Sequence, residues 1–198
     1  MAIIVDKVQK RKDIALACKE LFVEQGIKDV TVSQIAKTAG VSKGSIYDYF
    51  KNKEDVVFEI VNVLMQEHNT IKQEKLALIE TTKDKIKLFF NIFHDDSDRE
   101  LRELYKEFIS ISLTQPNQEM IAFQSQCYQD YLVWFEEIIQ EGINKEEILP
   151  QSIGLVKGLM ASGEGIFISS ASTTVINDVE QEMDEYIDTI FELIEVKK

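Results

Sequence analysis

The sequence predicts an all-α protein, and three observations predict it. Apolar residues recur at helical spacing in one segment after another, from Ile14, Cys18, Leu21 and Phe22 near the start to Met183, Ile187, Ile190, Phe191 and Ile194 near the end. The 198 residues include only two prolines and eight glycines, too few for a loop-rich fold. Residues that cap helices, Thr31, Ser42 and Asn52 among them, stand where these segments should begin. About nine helices are expected, in two parts: an N-terminal three-helix unit over 1–53 and a helical body over 54–198.

The first helix is expected over about Asp6–Gln25, ended by Gly26, with Ile27 making the apolar contact that often follows a glycine cap. Ahead of it, Lys7, Lys10, Arg11 and Lys12 make a charged arm that extends the helix, lies loosely on a DNA backbone or is simply solvated. Cys18 falls on the buried face and reads as a small core residue.

The organising stretch is TVSQIAKTAGVSKGSIYDYFKNK, Thr31 to Lys53. Thr31 with Gln34 forms a capping-box pattern, and Ile35, Ala36 and Ala39 make an apolar stripe. Gly40 sits where the chain must turn, and Ser42 caps a second short helix that sends Ile46 and Phe50 inward. This is a helix-turn-helix pattern. Gly44 near the start of the second helix lets a backbone lie deep in a major groove, next to Ser45 and Lys43. Thr31, Ser42, Tyr47 and Tyr49 carry hydroxyls for phosphate oxygens, Ser33 lies on the flanking helix, and Lys43, Lys51 and Lys53 add positive charge. Asp48 cannot meet phosphate favourably; it either accepts from a cytosine amino group or orients Lys51 or Lys12.

From Ile14 to Ile60 the chain resembles the DNA-binding domain of the TetR family of bacterial transcriptional regulators. The resemblance rests on Ile14, Ala17, Leu21, Phe22, Gly26, Thr31, Ile35, Ala36, Ala39, Gly40, Val41, Ser42, Gly44, Tyr47, Phe50, Lys53 and Glu54. It implies an all-helical homodimer that binds double-stranded DNA, with a ligand pocket in the C-terminal domain. It also implies that the helix after the head links DNA binding to the ligand body.

Charge is distributed to match. Up to residue 53 there are ten Lys/Arg against six Asp/Glu, +4; beyond it twelve against twenty-nine, −17. A basic head on an acidic body presents one end to phosphate, and the acidity also keeps a helical dimer in solution.

In the body, Asn52 should cap a helix running to about Gln73, followed by helices over about Thr82–Phe93 and Glu100–Leu113. Between these two, His94-Asp95-Asp96-Ser97-Asp98 has no glycine and no glutamate at calcium-loop spacing, so it reads as a polar connection. Pro116 should open a helix over about Asn117–Gly142 that carries an aromatic stripe. Most of that stripe is core, but Tyr105, Phe108, Tyr131 and Trp134 are candidates for a small apolar or amphipathic ligand. After Pro150 comes a helix rich in Gly, Ala and Ser, then a last helix opened by Asn177 with Glu180. Leu159, Gly163, Phe167, Tyr186, Ile190 and Ile194 are candidates for a homodimer interface of four helices. Glu164, between two glycines, either faces solvent, pairs across the dimer or meets a cation.

Other classes are set aside. There is no HExxH, no phosphate loop and no nucleophile-base arrangement, and His68 and His94 are lone histidines, so an enzyme is not expected. No cofactor or metal is called for. Two cysteines cannot build a secreted framework, and no segment reads as a signal peptide or membrane span, so a cytoplasmic protein is expected. The functional expectation is a ligand-responsive repressor that binds a palindromic operator as a homodimer. A DNA-binding adaptor regulated by a protein partner is the alternative.

Overall fold

The computed structural model describes residues 6–114 and 118–197. Among them are ten α-helices: α1 (Lys7–Ala17), α2 (Lys19–Asp29), α3 (Val32–Thr38), α4 (Lys43–Ile46), α5 (Lys53–Ala77), α6 (Thr82–Phe90), α7 (Arg99–Thr114), α8 (Gln118–Asn144), α9 (Val156–Ser172) and α10 (Val179–Ile194). The count exceeds nine because the expected first helix is two. Cys18 leaves helical geometry at φ −98°, ψ 0°, and its N–H turns back to Ala15 O and Leu16 O. Gly26 then bends α2 with φ 75°, ψ 160°. The charged arm is helical: Asp6 caps α1, accepting from the Val8 and Gln9 N–H groups, so Lys7, Lys10, Arg11 and Lys12 extend the first helix.

Two compact units make up the chain. The first holds Met1–Asn69 and Glu100–Ile121, the second Thr70–Arg99 and Ala122–Lys198. In the first, Ile14, Phe22, Ile35, Ile46, Phe50 and Leu104 are fully enclosed. Asn52 caps α5 as expected, its Oδ1 accepting from the Asp55 N–H at 2.8 Å. The core of the second is aromatic, built on Phe89, Phe90 and Phe135, with Phe89 and Phe135 centroids 4.8 Å apart. Two close approaches shape it. A Cβ on Gly142 would stand 2.5 Å from Thr82 Oγ1, and one on Gly163 2.6 Å from the Phe90 ring.

The polar connection before α7 forms two 3-10 turns, Asn91–Phe93 and Asp96–Asp98, with Asp95 accepting from the Ser97 N–H and hydroxyl. Among the described residues no group of three or more His, Cys, Asp or Glu could hold a metal ion. Pro150 opens a 3-10 segment ahead of α9. The cap of α10 is Asp178, one residue after the expected Asn177, because its carboxylate accepts from the Gln181 N–H at 2.9 Å. Pro116 lies outside the described residues. No described helix is long and apolar enough to cross a membrane.

Candidate nucleic-acid interface and ligand body

The helix-turn-helix is fixed by local hydrogen bonds. The Thr31 capping box closes in both directions: Gln34 N–H to Thr31 Oγ1 at 3.3 Å, and Thr31 N–H to Gln34 Oε1 at 2.9 Å. At the end of α3, Gly40 takes φ 67°, where a side chain is strained. The Gly40 N–H bonds Lys37 O and the Val41 N–H bonds Ala36 O, a Schellman turn. Ser42 Oγ then accepts from the Ser45 N–H at 3.0 Å and starts α4.

A helix of four residues has no stability of its own. It is held from beneath by Ile46 and Phe50, 1% and 2% exposed. Arg11 fastens its far end. The guanidinium lies 4.3 Å from the Phe50 ring centroid, donates to Tyr49 O, and reaches Asp55 Oδ1 at 2.7 Å and Glu59 Oε2 at 2.8 Å. Burial works against both charges here, but the mutual hydrogen bonds prevail: the Arg11 pKa is raised and the Asp55 carboxyl is held below its usual range.

What remains outward is short and polar. Ser42, Lys43, Gly44, Tyr47 and Asp48 are exposed, and so are Thr31, Ser33 and Lys51. Ser45 and Tyr49 are half-buried, and Ser45 Oγ pairs with Ser42 Oγ at 2.8 Å. Two predicted phosphate contacts are already engaged. The Thr31 hydroxyl donates to Gln34 Oε1 at 2.7 Å. Lys53 caps the end of α2, its Nζ donating to Lys28 O at 2.6 Å and Val30 O at 3.1 Å, so it secures the scaffold.

The candidate ligand residues fall in both units. Tyr105 and Phe108 lie on α7 in the first, where Phe108 is buried and stacks on Phe58. Tyr131 and Trp134 lie on α8 in the second, edge-on to Phe89 at 5.8 and 5.6 Å. Burial raises the Tyr131 pKa, with Asp98 and Cys127 adding to it. One residue of this region was missed from sequence. Lys72 is 2% exposed, and its Nζ donates to Phe89 O at 2.6 Å. Burial lowers its pKa to about 7 against the opposing pull of Asp98 and Asp95. The signal was available: His68, Lys72 and Leu76, four residues apart, form one buried line on α5.

Of the candidate interface residues, Leu159, Gly163, Phe167 and Ile194 are buried within the second unit itself, Phe167 stacked on Phe93 at 5.2 Å. Tyr186 and Ile190 are half-buried, and the Tyr186 hydroxyl meets Ser162 Oγ at 2.9 Å. Glu164 is half-buried and, after burial, contributes to raising the Tyr128 pKa. Burial pushes the Cys18 and Cys127 thiols up to about 11, with Asp130 adding at Cys127, which leaves both unreactive near neutral pH.

A short helix with a polar outer face, pinned from beneath and set on a glycine turn, defines a helix-turn-helix DNA-binding regulator. Residues 14–60 match the family described as bacterial regulatory proteins, tetR family. Over that stretch the chain carries a TetR-family DNA-binding domain. It is similar to the fatty acid metabolism regulator protein of Bacillus subtilis (strain 168), 28% identical over 193 residues, covering 95% of each chain. Among solved structures it resembles the Bacillus subtilis regulator FadR in complex with stearoyl-CoA, at 29% identity and TM-score 0.65, covering 91% of this chain and 95% of that one. A Saccharomonospora viridis transcriptional regulator in complex with choline has TM-score 0.78 at 16% identity, covering 96% and 100%, a likeness of fold alone.

Proposed function

We propose that the protein is a ligand-responsive repressor that binds a palindromic operator as a homodimer and is released by an amphipathic ligand held in its C-terminal body. The observation that carries the DNA half is Gly44. A Cβ there would meet only Ser42 Oγ at 3.7 Å, an ordinary contact, so nothing inside the chain requires glycine in a helix it weakens. Close approach of a groove wall supplies the reason. Lys43, Tyr47 and Lys51 then serve the phosphates beside it, with Ser33, Ser42, Ser45 and Tyr49 at the margins.

For the body, an aromatic core with one buried cation suits a ligand with an apolar chain and a polar or anionic head. Tyr131 and Trp134 would flank the chain and Lys72 would meet the head. The stearoyl-CoA found in the Bacillus subtilis regulator supports a fatty acyl thioester as the class. For the dimer, a stripe along α9 remains exposed: Gly158, Ala161, Gly165 and Ile168. Small residues there admit a partner helix closely, beside Tyr186 and Ile190 of α10. By linkage, a releasing ligand binds the DNA-free form more tightly.

The test is a duplex selected from a random library, titrated with protein with and without stearoyl-CoA. A palindromic site with half-sites about 34–36 Å apart, and weaker binding in the presence of the thioester, is expected. Selection of no palindrome overturns the repressor reading. A palindrome whose binding ignores stearoyl-CoA, from a protein whose melting temperature no amphipathic compound raises, favours a protein partner as regulator.

A further inference from the structure

Two glutamates of α7 grip α2 at its two ends within the first unit. Lys19 Nζ, at the start of α2, lies 2.7 Å from Glu100 Oε2. Seven residues further along α7 and eight along α2, the Ile27 N–H donates to Glu107 Oε2 at 3.4 Å, and that oxygen lies 3.2 Å from where a Cβ on Gly26 would stand. Two turns of α2 are thus matched to two turns of α7, running the same way. Between the grips the packing is incomplete. An open cavity of about 310 Å³ is lined by Phe22, Val23, Gly26, Glu103, Leu104 and Glu107. The polar contacts at the ends add a second determinant of register to the apolar contact of Phe22 and Leu104. The ion pair is worth little in stability, since the Lys19 and Glu100 side chains are 26% and 33% exposed. The value of the two polar contacts is geometric, because sliding one helix along the other by a single turn, about 5.4 Å, breaks both at once.

We propose that Glu100 and Glu107 are positioning residues for DNA binding, holding α2, and with it the helix-turn-helix, in one register along α7. This rests on the dimeric operator reading above. In a dimer the register of each head on its α7 sets how far apart two recognition helices stand, so a loosened grip should appear as tolerance of altered half-site spacing. A contact that served stability alone would lower the melting temperature and leave that tolerance unchanged.

The experiment compares the affinity of full-length protein for a selected palindrome with its affinity for the same half-sites moved apart by one base pair. Wild type should prefer the selected spacing by about tenfold, and K19E and E107A should narrow that preference to about twofold. The exchanged pair K19E/E100K should restore the preference, and E107Q, whose amide oxygen still accepts, should keep it. An unchanged preference in K19E and E107A overturns the proposal. So does a K19E/E100K double variant that remains as defective as K19E, which would assign Lys19 to phosphate instead. Absence of any spacing preference in wild type would overturn the dimeric operator reading itself.

Discussion

Arg11 in the first unit and Lys72 in the second are both cations drawn in among apolar side chains, and they are held in opposite ways. Arg11 keeps a quarter of its surface and meets two carboxylates and a carbonyl, so its charge is favoured. Lys72 is sealed in with one hydrogen bond, to Phe89 O, and an aromatic face 5.3 Å away, so its charge is penalised. The first arrangement is a fastening. The second costs stability, a cost that the proposed contact of Lys72 with a ligand head would put to use.

The largest effect should come from Lys72. Between about pH 7 and its ordinary value of 10.5, the unfolded chain holds a proton that the folded chain has released. Its contribution to stability therefore rises with pH across that window, by on the order of 5 kcal/mol in all. Lys72→Met should remove that rise and stabilise the protein at pH 7. Denaturant titrations of both proteins at pH 7 and pH 9 measure it as a difference, which cancels the buried thiols. Parallel pH profiles would mean that Lys72 is charged and satisfied, and the contrast with Arg11 would fail.

Arg11→Ala should cost about 2 kcal/mol, less than for a fully buried pair because these side chains retain some water. It should also weaken operator binding without lowering the salt slope, since Arg11 is turned to Tyr49 O, Asp55 and Glu59 and not to phosphate. A slope reduced by about one would place it on the DNA.

The acid limb gives a smaller effect. The Asp55 carboxyl is held below its usual range, so its stabilisation is present above about pH 4 and is lost as pH falls through its depressed folded value. That limb should flatten in Arg11→Ala, as read from melting temperatures between pH 5 and pH 2. Least of all for stability, the exposed Lys43→Ala should leave the melting temperature unchanged while reducing the salt slope of operator binding by about one.

The same two regions differ in how far they were legible. The turn of the head could be read because its determinants are local: the Thr31–Gln34 box, the left-handed Gly40 and the Ser42 cap each involve residues within five positions. What escaped there was long-range. Lys53 looked like a phosphate ligand because nothing nearby in sequence shows that Lys28 O and Val30 O wait for it. Arg11 was read as part of an arm because Asp55 and Glu59 lie more than forty positions away. In the body almost every decisive contact is of that kind. Periodicity marked Leu159, Gly163, Phe167 and Ile194 as apolar faces, but only the fold shows that the same chain already covers them. Lys72 could be placed on the buried line of α5, yet its acceptor on α6 could not be named.

The shortness of α4 has a consequence for how such a regulator changes its target. Its fold is guaranteed by Ile46 and Phe50, which point inward, and by a turn and caps that precede it. Ser42 aside, the outward positions 43, 44, 47 and 48 hold nothing together. They can be rewritten one by one with little risk to folding, so a duplicated copy of the gene could acquire a new address on the chromosome while keeping the same scaffold.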